Sequence, residues 1–574
     1  MTDDTFEAVA AAGDGPRKKA APRTGSVLGR AVRSLPFAGE PFGLLALALV
    51  ALLAAALVPM LAISAFDHSY ADDWHYAVGA HLALEAGGGA AAALRAALDE
   101  VVDAYFSWQG TYSAIFLMAL QPGVLGEELY GAGAVAVLAS LVLATGYFAS
   151  VLVRDVLGAG RSSWICASAA VLLLQTQLLP SPVEGIWWYN SAVYYTFYHA
   201  LMLVMAGLSL RLLRGSTRRG DLGRRGTAVR AVALAALAFV VAGGNFVTGI
   251  VSVLALAGLV FAGIALRRRR AAVLVPALAV LVVGFALSMA APGNEIRQES
   301  QFPTDALGPA VTIVRSCLAG AEYTVLWTNG MLAVALAALA PVLVRAAVRS
   351  QWSFSRPWLA CAASLALFMA SFTPTFFSMG SVGPGRVQNI RYDLFVILVF
   401  VCATWLIGRA CRRLERGGFD FGLFGAAGSS TVVGPGAAPA DAPSAEGDGR
   451  EVPAAPMVPR MRPAAVYYLS LALVLALSLG ALALDERHVD DVVAISCVRS
   501  LANGEAAEYD EQIWERIELI EGADAADVEV PFITRAPRVL FMGDIKDNMD
   551  TYINFRLAQW YGKDSIIGYD SVID

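Results

Sequence analysis

Charge is what this chain has least of. Only 16% of its 574 residues are Asp, Glu, Lys or Arg, and 57% are hydrophobic. A soluble domain carries about 25% charged and about 45–50% apolar residues, so an ordinary soluble fold is excluded. Cysteine is scarce too, with six in the chain. Cys166, Cys361, Cys402 and Cys411 sit inside or at the edge of apolar runs, where a thiol behaves as a small hydrophobe. Only Cys317 and Cys497 fall outside such runs, and there is no disulfide framework and no CxxC metal knuckle. P-loop, Rossmann, HExxH and GxSxG motifs are all missing.

Long apolar runs are what the sequence has in abundance. They lie near 42–65, 131–153, 162–180, 192–213, 228–244, 246–266, 271–291, 327–348, 358–378, 393–411 and 464–484. Crossing a bilayer takes ~20 apolar residues, so these predict an all-α polytopic membrane protein with about 11 transmembrane helices. Arginine sorts the loops. Arg154 and Arg161, the seven arginines from Arg211 to Arg230, Arg267–Arg270, Arg345/Arg349/Arg356 and Arg409–Arg416 fall on one side of that scheme. The positive-inside rule makes that side cytoplasmic. Thr111–Leu125 is apolar but short and ends in Gln121-Pro122-Gly123. Counting it as a crossing would put every later arginine block outside, so it is expected to be re-entrant or interfacial.

The domain plan follows. Residues 1–41 form a cytoplasmic tail without structure, 42–411 a multi-pass domain with a first outer loop at 66–130, and 412–463 a Gly/Ala/Pro-rich cytoplasmic linker. A last helix at 464–484 leads to a small extracytoplasmic domain, 485–574. That tail holds 8 Lys/Arg against 20 Asp/Glu, a net charge of −12, which leaves +6 for the rest. Such acidity makes nucleic acid a poor partner. Within the tail, Glu505–Glu521 has amphipathic helical spacing, Arg538–Ile545 (RVLFMGDI) looks like a buried strand, and Asp550–Tyr561 a helix, together a small α/β unit.

Residues with chemical potential gather in the loops predicted to be outer. Phe66–His75 (FDHSYADDWH) places Asp72 and Asp73 directly after the first span. At a membrane surface a carboxylate loses hydration, so a pair there suits a general base or a divalent-cation site. The plain alternative is an acidic loop in which Asp72 caps a helix. His75 follows the pair, and Trp108-Gln109-Gly110 closes the same loop. The next outer loop carries Trp187, Trp188, Asn190 and Tyr194, either an interfacial belt or a set of flat faces for sugar rings. Asn245 follows a Gly-Gly turn, and Asn294, Glu295 and Arg297 cluster after Pro292. Arg386 and Arg391 lie on the outer side, against the positive-inside tendency, which points to phosphate or carboxylate pairing. Ion pairs to Glu295 or Asp72 are the bland reading.

With those motifs in view, the layout resembles the GT-C superfamily of polytopic glycosyltransferases. Asp72-Asp73-Trp74, Trp108-Gln109-Gly110, Trp187–Tyr194, Ala291–Arg297 and Asn554–Ile567 (NFRLAQWYGKDSII) more closely resemble an uncharacterised family of bacterial multi-pass proteins. That family is similar to the serotype-converting O-antigen glucosyltransferases. This chain departs from the pattern at Gly110-Thr111, where Gly-Arg is expected. The resemblance implies a sugar donor on polyprenyl phosphate and a glycan or lipid acceptor at the outer face of the cell membrane. By that analogy Asp72 or Asp73 is the base, and Arg386, Arg391 or Arg297 neutralises the leaving phosphate. No cofactor is required by the resemblance; a divalent cation held by Asp72 and Asp73 stays open. The rival expectation is a transporter or flippase for a lipid-linked sugar, using the same aromatics and arginines without a base.

Overall fold

The computed structural model describes residues 40–418, apart from 41, 219, 304 and 305, together with 472, 473, 476 and 491–570. The tail expected before residue 40, most of the 412–463 linker and most of the 464–484 helix lie outside the described residues. Residues 412–416 belong to a helix that continues from Gly385 to Arg416, so the linker begins later than expected.

Among the described residues, nine helices are long and apolar enough to cross a membrane. They cover Gly43–Phe66, Glu127–Val156, Tyr189–Arg214, Arg224–Ala242, Phe246–Ala265, Arg269–Met289, Gly330–Arg349, Pro357–Met379 and Gly385–Arg416. The expected run at 162–180 forms a 17-residue helix, Arg161–Gln177, packed against Gly43–Ile63. Tyr112–Leu125 is a short helix and a 3₁₀ turn. At ~1.5 Å per residue its 14 residues reach only ~21 Å of a ~30 Å hydrocarbon core. It therefore cannot cross as a helix. Pro309–Trp327, expected as loop, is instead a helix of 19 residues that packs on Pro357–Ala370.

Side-chain contacts divide the loops into two sets. At one end Asp155 binds Arg211 and the Arg218 amide, Arg412 donates to the Trp352 carbonyl, and a two-residue hairpin pairs Ser216 with Asp221. At the other end Ser64 meets Trp187, Asp73 meets Asn190, Gly110 meets Asn294, Tyr194 meets Asn245, and Ser181 meets Asn389. The C-terminal unit joins this second set.

That unit is α/β. Helices Val493–Ala502, Glu505–Gly522 and Tyr552–Trp560 pack with a two-stranded parallel sheet in which Asp527–Pro531 pairs with Ser565–Tyr569. The expected strand at 538–545 is a turn and irregular chain, although Val539, Leu540 and Ile545 are buried. A short apolar run is buried either way, and periodicity cannot tell strand from packed loop. Val528, Val530 and Ile566 point into the core shared with Trp74, Ala77 and Leu557, so the tail is built onto the first loop.

His68 fixes that docking. Its Nε2 lies 2.8 Å from Asp510 of the tail and its Nδ1 3.3 Å from Glu127, with Tyr509 and Trp514 edge-on to the ring. Burial alone lowers its pKa, but the hydrogen bond to Asp510 and the charge of the two carboxylates outweigh that and raise it to about 8. A raised imidazole stabilises the docked state fully below the ordinary value of ~6.5 and loses that contribution as pH rises through about 8. Protection of the Glu505–Gly522 amides from hydrogen exchange should therefore weaken between pH 6.5 and about 8. His68→Gln should be less protected at low pH and flat across the window. A wild-type profile without that slope removes His68 as the docking group.

Candidate functional site

The site is built around the start of the Asp72–Glu85 helix. Ala71, just before it, has φ 50°, a left-handed conformation uncommon for a residue with a Cβ. The strained turn is fixed on both sides: Trp188 donates to the Tyr70 carbonyl at 3.2 Å, and the Tyr70 amide donates to Asp73 at 2.9 Å. Two acids in a first helical turn sit favourably in the helix dipole. Adjacent helical positions point ~100° apart, so the two carboxylates go separate ways.

Asp73 turns inward and is fully buried. It accepts hydrogen bonds from the Tyr70 amide, the Tyr130 hydroxyl at 2.7 Å and the Asn190 amide at 3.1 Å. Burial pushes its carboxyl up to about 8 against the pull of those three donors. Asp72 turns outward, half-buried, and accepts from the Tyr552 hydroxyl at 2.8 Å. The contact brings a residue of the tail onto the first loop. Burial, then the charge and hydrogen bond of Asp72, hold the Tyr552 phenol far above its ordinary range.

Two guanidiniums lie in the same region on different segments of the chain, and the Asp72 charge reaches the first of them. Arg386 pairs with Glu184 at 2.9 Å and lies 5.4 Å from the centre of the Trp188 ring. Its side chain keeps 32% exposure while Glu184 keeps 9%, so the pair leaves Arg386 a free face. Arg297 donates to Gln109 at 2.6 Å and sits 5.1 Å over Trp108. Gln109 passes the link on to the Tyr76 hydroxyl at 3.4 Å. Tyr194 lies within the fields of both arginines, and the Asp72 charge reaches Arg386, Tyr70, Tyr76 and Tyr552. The result is the Asp72 carboxylate, the Arg386–Glu184 pair, Arg297, and Arg556 over the Tyr552 ring, among a row of phenols at one end of the helical bundle.

Local sequence explains the placement. Val183–Trp187 and Val193–Phe197 are π-helical turns, whose extra residue per turn re-aims the side chains that follow. They set Trp188, Tyr194 and Tyr195 on the site. Asn245 caps the Phe246–Ala265 helix through Thr248 and holds the Tyr194 carbonyl at 2.6 Å. Asn294 accepts from the Gly110 amide and donates to the Ser288 carbonyl. A Cβ on Gly110 would collide with that same carbonyl, which is why the Trp108-Gln109-Gly110 turn ends in glycine.

Other sequence candidates lie apart from this group. Trp187 is fully buried and donates to Ser64, so it is a core residue. Arg391 is also fully buried. It spends its donors on the Ser371 and Val382 carbonyls, Gln388 and Thr375, with its guanidinium 4.2 Å from the Phe372 ring centre. It ties down the chain around 371–382 and has no free edge for an anion. Glu295 is exposed. Asn190 keeps its side-chain amide buried beside Asp73 with no hydrogen-bond partner among the described residues. His75 borders the site edge-on to Tyr552 at 6.1 Å, and burial followed by the Arg556 charge lowers it to about 4. Tyr76, Glu184, Tyr130 and Tyr552 are the site residues that sequence reasoning did not single out. A tyrosine in an amphipathic or apolar stretch carries no signal of its own.

A metal held jointly by Asp72 and Asp73 does not fit this donor set. Both Asp73 oxygens already accept N–H or O–H hydrogens, and Asp72 faces a different partner. Among the described residues no group of three or more His, Cys, Asp or Glu side chains is placed to hold a metal ion. No protein-family model, curated protein or solved structure matches the chain.

Proposed function

We propose that this chain is a membrane glycosyltransferase that moves a sugar from a polyprenyl-phosphate donor to a glycan or lipid acceptor at the membrane boundary. The observation that carries the reading is the half-buried Asp72 carboxylate, whose charge reaches Arg386, at an end of the molecule that also gathers Arg297, Trp108 and Trp188. In this mechanism Asp72 takes the proton of the acceptor hydroxyl as its oxygen attacks the anomeric carbon. The bond from that carbon to the phosphate oxygen breaks, and the phosphate leaves on the lipid with its electron pair. Arg386 and Arg297 balance the charge that develops there. Tyr552 holds Asp72 by its hydroxyl, and Trp188 and Trp108 back the two guanidiniums. The GT-C resemblance agrees with this assignment of roles.

Arg386 gives the direct test. A charged hydrogen bond to phosphate contributes ~1.5–3 kcal/mol, so Arg386→Ala should weaken binding of a polyprenyl-phosphate sugar about 10- to 100-fold. Arg386→Lys should recover only part, because an ammonium lacks the planar fork. Equal donor affinity in wild type and Arg386→Ala, with lowered stability alone, reduces Arg386 to the partner of Glu184 and overturns the donor site.

A further inference from the structure

The opposite end of the molecule holds a cavity of about 120 Å³ between residues 145–157, Arg161–Gln177, Gly330–Arg349 and Gly385–Arg416. On the last helix its lining runs from Ile397 to Trp405, ~12 Å at 1.5 Å per residue. That approaches the ~15 Å depth of one leaflet. Nearly every lining group is apolar; the Thr404 hydroxyl is already bonded to the Phe400 carbonyl of its own helix. A cavity of this size and character stays dry or takes an apolar guest.

The mouth has the opposite chemistry. Trp352 and Trp405 line it near the Arg-rich helix ends, with Phe354 buried beneath them, and Trp405 donates to the Ser355 carbonyl. One turn beyond Trp405, the Arg409 Nε is buried with no hydrogen-bond partner among the described residues. Arg345, Arg349, Arg412, Arg413 and Arg416 end the same two helices. The acids near them are already engaged: Asp155 with Arg211, and Glu415 with Arg412. A cationic rim above a dry slot one leaflet deep matches a single amphiphile whose head is anionic.

We infer that this groove binds an anionic glycerophospholipid of the surrounding bilayer, with one acyl chain in the slot between Ile397 and Trp405 and the phosphate at Arg409. The site is independent of the glycosyltransferase reading, since Trp405 lies 19 residues along the helix from Arg386, ~28 Å away.

The test uses the full chain purified in mild detergent. Native mass spectrometry would follow retention of phosphatidylglycerol and of phosphatidylcholine with identical acyl chains. A phosphatidylglycerol with a photoreactive acyl chain would map the contact. Phosphatidylglycerol should be retained at least tenfold better, and crosslinks should fall on 339–346 and 397–405. Thr404→Trp should fill the mouth and abolish both signals, with Val401→Phe as a second filler if the first variant does not fold. Arg409→Gln should bring phosphatidylglycerol retention down to that of phosphatidylcholine. Equal retention of the two lipids by the wild type, crosslinks elsewhere, displacement by a polyprenyl phosphate, or capture of this chain's own 419–463 segment in the groove each overturns the proposal.

Discussion

Asp72→Asn should bind a polyprenyl-phosphate sugar about as well as wild type and transfer it ~10²–10⁴-fold more slowly, the usual contribution of a positioned base. Asparagine keeps the shape of the side chain and can still accept from Tyr552, but it cannot take a proton from an attacking hydroxyl. Asp72 is the carboxylate to change because Asp73 is sealed: three donors occupy its oxygens and none of its surface reaches solvent. Purified protein in nanodiscs, with donor binding and sugar transfer measured separately, distinguishes the two effects. Tyr552→Phe should give a smaller loss, since it frees Asp72 without removing the base. Unchanged transfer by Asp72→Asn would sink the mechanism. Passage of intact donor across the bilayer without transfer would favour a transporter.

Asp73→Ala should leave little folded protein. It strands the Tyr70 and Asn190 amides and the Tyr130 hydroxyl in a dry interior, and each unsatisfied buried donor costs ~1–3 kcal/mol. A total near 3–5 kcal/mol is expected, at the upper end for a single substitution. Asp73→Asn is intermediate, because its amide nitrogen opposes a donor where the carboxylate accepted one. The pH dependence has a definite sign. The Asp73 carboxyl is raised from 3.8 to about 8 in the fold, so between those values the folded chain holds a proton that the unfolded chain has released. Its contribution to stability therefore falls as pH rises from 4 to 8 (~the interval between the two pKa values), and Asp73→Asn should remove that slope. Thermal unfolding of the variants in nanodiscs checks both statements. Asp72→Asn, on the half-buried side of the turn, should move the midpoint little. If Asp73→Ala unfolds like wild type, the three-donor node does not hold the loop.

How much of this was legible beforehand depends on the range of the forces involved. Membrane class was legible because apolar run length is a local property, and so was the helix at Glu505–Gly522, whose amphipathic spacing needs no partner. The division of loops into two ends was legible because arginine is costly to translocate, and the contacts pair the loops in the same two sets. Stretches that the sequence singled out do come together: Trp188 bonds the turn before Asp72, Arg297 bonds Gln109 and covers Trp108, and Gln109 reaches Tyr76 of the Asp72–Glu85 helix. The parallel pairing of Asp527–Pro531 with Ser565–Tyr569 was not legible, since its partners are 38 residues apart in the chain.

Neither was the choice between neighbours of identical type. Asp72 and Asp73 differ only by one step of helical rotation, and that rotation is set by Tyr130 and Asn190, which arrive from other helices. Arg386 and Arg391 differ by five positions on one helix. One keeps a free face beside Glu184, while the other is consumed by the chain around Ser371 and Val382. By itself the sequence determined that this chain is a helical membrane protein with a polar, aromatic end. Only the tertiary structure decided which carboxylate and which arginine stay accessible, because accessibility is what remains after distant side chains have taken their hydrogen bonds.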